Sequence, residues 1–461
     1  MGVIPILAAG LLAVYFLLFL INTLQSLKNF PLLQRYARRL RTFRHLEALD
    51  QSTLTPLTLI LPVSRLSTQN VIQWLKVEYP EVEFILVHDQ VTPQVMLAWR
   101  DRLHLKPTAR FPVGDLNTAA VQGIFQGEKD SRIWFIDKAP SHLSDALNTG
   151  LNFCQTPLVA MVSAEIYPEG SIFKQSARVF LEDKQVWAVS GRIRSQDKPE
   201  QATGQSPVLP ASAWGCFEVI YEQFQHLLQW NRYSHKQNFY ELSPLYTVFR
   251  RSKLLESGGF TGQYQSFMVD IVRNLRDLSE RSQQPFTFAF LPDTLGWKVA
   301  ARQRSEMRDF FRYHQQVGKR LTSISLSPRA TLGRLRHHIA FPLFFFAVIG
   351  AVIALSFSAG PEYLLLLPLV ISLPLLWAIM ALRAGEFTTR RYRREDLSLL
   401  FITVWKTLWF WPVWCMAQMV IGWFARPQPL RETSRDPILN PSPLKYTAPL
   451  DPEALDAYEN P

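Results

Sequence analysis

Two acidic residues lie just after short apolar runs that predict buried strands. Asp89 follows the run 84–87, and Glu165 comes shortly after the run 158–162. Short apolar runs of this kind are typical of parallel strands, whose carboxyl ends meet at one edge of the sheet, where ligands bind. We therefore expect both carboxylates to face one crevice, with oxygens suited to a hard divalent cation. The alternative is that they are turn or capping residues at strand ends.

The elements that would position these carboxylates alternate between strand and helix. Residues 57–61 predict a strand that ends at Pro62, and residues 70–78 predict a helix with Val71, Trp74 and Leu75 on one face. The pattern then repeats through a strand at 84–87, a strand at 133–136, a helix at 142–153, a strand at 158–162, a helix at 171–181 and a strand at 186–191. Such alternation predicts an α/β fold with a mostly parallel sheet and flanking helices.

Long apolar runs lie outside this region. The run 3–24 and the runs 339–357 and 363–382 are each long enough to cross the ~30 Å apolar core of a bilayer. Basic residues follow the first run and flank the other two, which predicts a cytosolic middle domain and an external N-terminus. A signal peptide is disfavoured because the charge follows the first run rather than preceding it. Residues 397–424 contain Lys406 among several tryptophans, and we expect an interfacial amphipathic helix there or, alternatively, a fourth span.

The chain therefore divides into six predicted segments. They are a transmembrane helix at 1–25, a basic cytosolic linker at 26–50, the α/β domain at 51–330, two transmembrane helices at 338–383, the interfacial helix at 397–424 and a disordered cytosolic tail at 425–461. We expect a multi-pass protein of a bacterial-type inner membrane, in contact with the lipid bilayer.

Charge and composition exclude several classes of function. The formal net charge is +11, but much of it flanks the apolar runs, so we expect no nucleic-acid partner. The three cysteines are widely spaced and predict neither a disulfide framework nor a metal cluster. Gly258, Gly259 and Gly262 do not have the spacing of a phosphate-binding loop, and we interpret them as a turn.

Several motifs occur in an order that points to one family. "VEYPEVEFILVHD", "LSDALNTGL", "FLEDKQVWAVSGRIR" and "TVFRRSKLLESGGF" follow one another along the chain, and Asp270 comes after the last. The chain resembles, over nearly its whole length, family 2 membrane glycosyltransferases of the GT-A fold, such as cellulose, hyaluronan and poly-N-acetylglucosamine synthases. The resemblance implies a GT-A-like domain that moves a sugar from a nucleotide-sugar donor, a UDP-sugar, to a glycan or lipid acceptor by inverting substitution in envelope or exopolysaccharide synthesis.

The resemblance also implies roles for particular residues. It implies that Asp270 is the catalytic base and that Asp89, Arg312 and Tyr313 bind the donor. A divalent cation, Mg²⁺ or Mn²⁺, would be bound by Glu165, with Ser163 acting through a water molecule.

This sequence departs from the family pattern at most of its catalytic positions. Ser163-Ala164-Glu165 replaces an Asp-x-Asp metal motif, and Val269 replaces the acidic residue that precedes the base. Asp309 replaces a glutamine in the motif that contains Arg312, and Ser144-Asp145 stands where a lysine and a glycine are missing. The alternative function is therefore a catalytically inactive scaffold or partner subunit of a polysaccharide synthase or export assembly.

Overall fold

The computed structural model describes residues 3–28, 54–63, 68–89, 93–163, 166–199, 210–223, 242–262, 267–302, 341–358 and 360–366, with residues 31, 35, 226, 379 and 380. Most of the predicted linker 26–50, the predicted interfacial helix 397–424 and the predicted tail 425–461 lie outside the described residues.

The described strands form one ten-stranded sheet. They are β1 Leu57–Pro62, β2 Val82–His88, β3 Leu105–Pro107, β4 Val121–Gly127, β5 Ile133–Lys138, β6 Leu158–Val162, β7 Tyr167–Pro168, β8 Val186–Gln196, β9 Tyr246–Arg250 and β10 Thr287–Val299. Their order in the sheet is β3-β4-β5-β2-β1-β6-β9-β8-β10-β7. The neighbours β5, β2, β1 and β6 are mutually parallel, and β4, β7 and β9 run against the rest. The predicted α/β class with a mostly parallel sheet is confirmed.

Helices cover both faces of this sheet. The helices described are α1 Val3–Leu27, α2 Thr68–Leu75, α3 Pro93–Arg102, α4 Leu143–Phe153, α5 Ile172–Glu182, α6 Ala213–Gln223, α7 Arg251–Glu256, α8 Phe267–Ser282 and α9 Phe341–Ser358. Leu59 and Leu61 of β1 pack with α2 and α5 on one face, whereas Ile60 packs with α4 and α8 on the other. Because successive strand side chains point to opposite faces, burial on both faces requires the continuous apolar runs seen in the sequence.

The boundaries of some predicted elements were wrong. Helix α2 begins at Thr68 and ends at Leu75, three residues before the predicted end. Pro80 favours an extended conformation at Tyr79, whose hydroxyl donates to the Thr55 carbonyl at 2.6 Å, so the chain leaves the helix early. Strand β8 continues to Gln196 because it pairs with β10 along nearly its whole length. Several elements were not predicted, namely helices α3, α6, α7 and α8 and strands β3, β4, β7 and β9.

Helices α1 and α9 pack against each other. Ala8, Leu12 and Tyr15 of α1 are buried with Val348 and Val352 of α9. None of the described helices is both long and apolar enough to cross a membrane. The predicted transmembrane helix at 1–25 and the first of the two predicted within 338–383 therefore receive no support from the described residues, whereas most of the second, at 363–382, lies outside them.

Candidate active site

The carboxyl ends of the parallel strands form one edge of the sheet. His88 of β2 is paired with Asp137 of β5, and the amide of Val63, after β1, donates to the Val87 carbonyl at 2.8 Å. Asp89 is half-buried just beyond β2, and Ser163 is buried just beyond β6. The register of the four strands thus brings Asp89 and Ser163 to the same edge, on strands separated only by β1.

A histidine and an aspartate that the sequence analysis missed join two strands at this edge. The His88 Nδ1 atom lies 2.8 Å from the Asp137 Oδ1 atom, and the histidine is 1% exposed. The imidazole ring stacks on Phe135, with 6.0 Å between ring centroids. This hydrogen bond could not be read from the sequence, because it depends on the register of β2 against β5.

A buried lysine lies where β5 leads into α4. Lys138 is fully buried and its ammonium group donates to the Ser141 hydroxyl at 2.5 Å, the Ala139 carbonyl at 3.1 Å and the Asp145 carboxylate at 3.2 Å. Burying a charge is strongly unfavourable unless it is paired and hydrogen-bonded, and these three acceptors meet that condition. Asp145 also accepts a hydrogen bond from the Ala119 amide at 3.0 Å. The carboxylate therefore joins the lysine, helix α4 and the preceding loop.

That loop, residues 108–120, lies along α4 and is bound to it near both ends of the helix. Near the C-terminal end of α4, the amides of Val113 and Gly114 donate to the Asn152 carbonyl at 2.7 and 3.0 Å. The Asn152 side chain also donates to the Leu116 carbonyl at 2.8 Å and accepts from its amide at 3.0 Å. Near the N-terminal end, Asp145 holds Ala119.

A glycine-containing turn follows α7 and faces the first half of α4. The three glycines of this turn have positive φ values, 92° at Gly258, 71° at Gly259 and 103° at Gly262, which confirms the predicted turn. Glycine adopts such values without strain because it has no Cβ atom. The Asn148 side chain donates to the Phe260 carbonyl at 2.9 Å and accepts from its amide at 2.7 Å.

Asp270 lies beside this turn, in the first turn of α8. It is 7% exposed. A Cβ atom added to Gly262 would lie 3.0 Å from the Asp270 Oδ2 atom, so the carboxylate packs directly against the backbone of the glycine. The Gly262 carbonyl in turn accepts a hydrogen bond from the Ser144 hydroxyl at 2.6 Å. These contacts place Asp270 next to the N-terminal end of α4.

A cavity of about 500 Å³ opens between the loop, α4 and the turn. The described residues that line it are Asn117, Thr118, Ala119, His142, Ser144, Asp145, Asn148, Phe260, Thr261 and Gly262. Asp270 lies behind the Gly262 wall. The cavity thus adjoins the residue that the sequence analysis predicted to be the catalytic base.

The structure therefore places three of the predicted site residues, namely Asp89, Ser163 and Asp270. Glu165, Arg312 and Tyr313 lie outside the described residues, as does Asp309, so their positions stay predictions. Among the departures from the family pattern, Ser144 and Asp145 line the cavity, whereas Val269 is buried in the core. Asn117, Thr118 and His142 were missed, and the signals that could have drawn attention to this surface are the two motifs that contain Asn148 and Phe260.

The described residues do not by themselves fit a divalent cation. Ser163 offers a hydroxyl group that is 2% exposed, where a hard cation prefers carboxylate oxygens. No group of three or more histidine, cysteine, aspartate or glutamate side chains within the described ranges could hold a metal ion. The carboxylate predicted for this purpose, Glu165, is outside those ranges.

No protein-family model matches the chain, and no curated protein sequence matches it significantly. Among solved structures, the chain is similar to the mannosyltransferase PcManGT from Pyrobaculum calidifontis in complex with GDP-Man and Mn²⁺. The identity is 14% over 91% of this chain and 99% of that chain, with a TM-score of 0.49.

Two further solved structures are similar to the chain at lower TM-scores. For S. aureus TarS 1–349, the identity is 10% over 72% of this chain and 90% of that chain, and the TM-score is 0.33. For glucosyl-3-phosphoglycerate synthase from Mycobacterium tuberculosis with Mn²⁺, UDP and phosphoglyceric acid, the identity is 13% over 58% of this chain and 78% of that chain, with a TM-score of 0.33. With TM-scores below 0.5, these similarities do not decide the family or the activity of this chain.

Proposed function

We propose that the chain is a glycosyltransferase that moves a sugar from a UDP-sugar donor to a glycan or lipid acceptor in envelope or exopolysaccharide synthesis. The observation that carries the proposal is the position of Asp270, a nearly buried carboxylate beside a cavity, next to the helix that leaves the carboxyl edge of the parallel strands. The motif order of the sequence, from the strand before Asp89 to Asp270, supports the same function.

In the proposed reaction, Asp89 accepts a hydrogen bond from the base or ribose of the donor. The acceptor hydroxyl oxygen forms a bond to the anomeric carbon as the bond from that carbon to the diphosphate oxygen breaks. The diphosphate leaves with the electron pair, and Asp270 takes the hydroxyl proton as general base. Attack from the side opposite the leaving group inverts the anomeric configuration. Arg312 and Tyr313 are proposed to contact the diphosphate end of the donor.

A divalent cation, Mg²⁺ or Mn²⁺, is proposed on sequence grounds alone, with Glu165 as its ligand. Such an ion would offset the negative charge of the diphosphate. Because the described residues do not form a cation site, we derive no step of the reaction through a metal ion.

A specific observation favours the alternative of a non-catalytic scaffold or partner subunit. Val269 and Ser163, which replace two acidic residues of the family pattern, are both 2% exposed. Neither position offers a carboxylate to a substrate. A protein that kept the nucleotide site but no longer catalysed sugar transfer could still act as a scaffold, because that role requires only the fold and the surface of the domain.

We also propose that the chain is attached to a bacterial-type inner membrane with the α/β domain in the cytosol. The support is the apolar surface of the pair α1 and α9, on which Ile6 and Leu7 are each 68% exposed and Phe357 is 89% exposed. Large exposed apolar patches mark contacts with lipid or protein. Cell fractionation tests this proposal, which predicts recovery of the chain with membranes and its release by detergent but not by high salt.

Calorimetric titration with UDP, with and without Mg²⁺ or Mn²⁺, tests the donor site. The Asp89→Ala variant should weaken UDP binding by about 1.5–3 kcal/mol, the usual effect of losing a hydrogen bond to a charged group. Asp183→Ala is the matched control, because Asp183 is an exposed carboxylate before β8, at the opposite edge of the sheet. Equal UDP affinity in the two variants would remove the nucleotide-sugar interpretation of the crevice.

Complementation of a null strain by Asp270→Asn separates the enzyme from the scaffold. The asparagine keeps the size of the side chain but cannot take a proton, so the rate should fall by about 10²–10⁴-fold and the strain should not be rescued. Asp277→Asn is the matched control, because Asp277 lies two turns further along α8 and is 48% exposed. Full rescue by Asp270→Asn at normal protein abundance would contradict catalysis and leave the scaffold function standing.

A further inference from the structure

We infer that the cavity between loop 108–120, α4 and the glycine turn binds the acceptor, and that this acceptor is a neutral saccharide rather than a phosphate-bearing molecule. The inference rests on the proposed function, because it names the acceptor class for the same reaction. Three properties of the cavity carry it: its charge, its hydrogen-bonding groups and its position beside Asp270.

The charge of the cavity disfavours an anion. None of the described residues that line it is a lysine or an arginine, and the ionisable side chains among them are those of Asp145 and His142. Lys138 lies close by but is fully buried, with its ammonium group bound to Asp145 and two further acceptors. The N-terminal end of α4 would attract an anion, but the Asp145 carboxylate in its first turn, paired with Lys138, already occupies that end of the helix dipole. A phosphate group would also approach Asp270 behind Gly262.

The hydrogen-bonding groups of the cavity suit hydroxyl groups. The side chains of Asn117, Thr118 and His142 line it and make no hydrogen bond to other described residues. Ser144 donates its hydroxyl hydrogen to Gly262 and keeps its lone pairs as acceptors. An amide, two hydroxyls and an imidazole provide both donors and acceptors, as a sugar ring with several hydroxyl groups requires. A volume of about 500 Å³ is within the range of small-molecule sites.

The position of the cavity matches the reaction. Gly262 lines the cavity and also lies against the Asp270 carboxylate, since a Cβ atom added to the glycine would lie 3.0 Å from the Oδ2 atom. Asn148 holds the adjacent Phe260 by two hydrogen bonds, so the wall is well defined. An acceptor bound in the cavity would therefore lie near the proposed base, with Gly262 between the two.

Saturation-transfer NMR on the purified full chain tests the inference. The probes are neutral trisaccharides of glucose, mannose and N-acetylglucosamine, with inorganic phosphate and glucose 6-phosphate as the anionic set. We expect at least one neutral trisaccharide to bind and neither anion to compete with it. Thr118→Val should weaken that binding by about 5-fold, the effect of one lost hydrogen bond, and Asn117→Ala by a similar factor.

Thr108→Val is the matched control, since Thr108 is an exposed threonine of the same loop that does not line the cavity, and it should leave saccharide binding unchanged. Thr118→Ser keeps the hydroxyl group and should retain saccharide binding. This variant shows whether weaker binding by Thr118→Val comes from loss of the hydroxyl group or from any substitution at residue 118. All four variants should bind UDP as the parent chain does.

The outcomes separate the inference from the function on which it rests. UDP binding without binding of any neutral trisaccharide would overturn the inference and leave the proposed donor site intact. Phosphate or glucose 6-phosphate binding that Thr118→Val weakens would overturn the neutral character of the ligand. Saccharide binding that Thr118→Val and Thr108→Val affect equally would place the ligand elsewhere. Failure to bind UDP would instead count against the proposed function itself.

Discussion

Two lysines of the described residues form ion pairs with buried carboxylates, and the surroundings of the two differ. Lys138 is paired with one carboxylate, Asp145, which lines the cavity and holds the loop beside it. Lys298 of β10 lies 2.6 Å from a carboxylate oxygen of Glu218 and 3.0 Å from one of Glu222, both on α6. The first cluster is balanced in charge and open to a ligand, whereas the second contains one carboxylate more than it has ammonium groups.

The second cluster satisfies its own hydrogen-bonding groups. Glu222 accepts from the Ser195 hydroxyl at 2.8 Å and from the Ser195 amide at 3.2 Å, and Glu218 accepts from the Ala301 amide at 2.9 Å. These bonds join α6 to the ends of β8 and β10. A buried carboxylate can therefore serve either to support a binding surface, as Asp145 does, or to hold a helix on a sheet, as Glu218 and Glu222 do.

The pKa values of the second cluster reflect its excess carboxylate. Burial raises the pKa of Glu222, and Glu218 raises it further, while Lys298 opposes the change. Burial lowers the pKa of Lys298, but Glu218 and Glu222 outweigh it, so the net change is upward. Both shifts favour retention of protons in the folded cluster.

The largest effect is expected when the lysine of the second cluster is removed. Lys298→Met leaves two carboxylates buried without a cation, which should lower the free energy of unfolding by about 3–5 kcal/mol in denaturant titrations. UDP and saccharide binding by the molecules that remain folded should be unchanged. A loss of stability below about 1 kcal/mol would show that the cluster does not hold α6 in place.

A smaller but more local effect is expected at the first cluster. Asp145→Asn removes the negative charge from Lys138 while Ser141 and Ala139 still accept from its ammonium group, so the loss should be about 1–3 kcal/mol. Hydrogen exchange at the Ala119 amide should accelerate, and saccharide binding should weaken more than UDP binding. Equal weakening of both ligands would contradict a role for Asp145 in shaping only the cavity.

The smallest effect is a change in pH dependence. Because the pKa of Glu222 is raised in the folded chain, the folded state binds more protons than the unfolded state above pH 4.5, and stability falls as the pH rises through the folded pKa. Glu222→Gln removes this proton uptake and should flatten that part of the stability curve, with equal or higher stability at neutral pH. Unfolding titrations across pH 4–8 measure this pH dependence of stability. Parallel curves for the parent chain and Glu222→Gln would contradict the raised pKa of Glu222.

The elements whose side chains are buried on both faces of the sheet were predicted well. The run 158–162 coincides with β6, and the run 57–61 with β1 except for Pro62, because a strand buried on two faces must be apolar along its length. Strands β3 and β4 escaped prediction because they lie at the end of the sheet and mix exposed and buried residues. The insertion of antiparallel β9 between β6 and β8 depends on a pairing across about 90 residues, which no local pattern records.

The sequence by itself determined the α/β class, the central strands and the position of Asp89 at their carboxyl edge, since burial and strand direction act on each run separately. Only the tertiary structure decided that Asp270 lies against Gly262, that the loop 108–120 borders a cavity, and that Lys298 contacts Glu218. Lys298 and Glu218 are 80 residues apart in the chain. Contacts at such separations follow from the order of strands in the sheet, which is set by the packing of the whole domain.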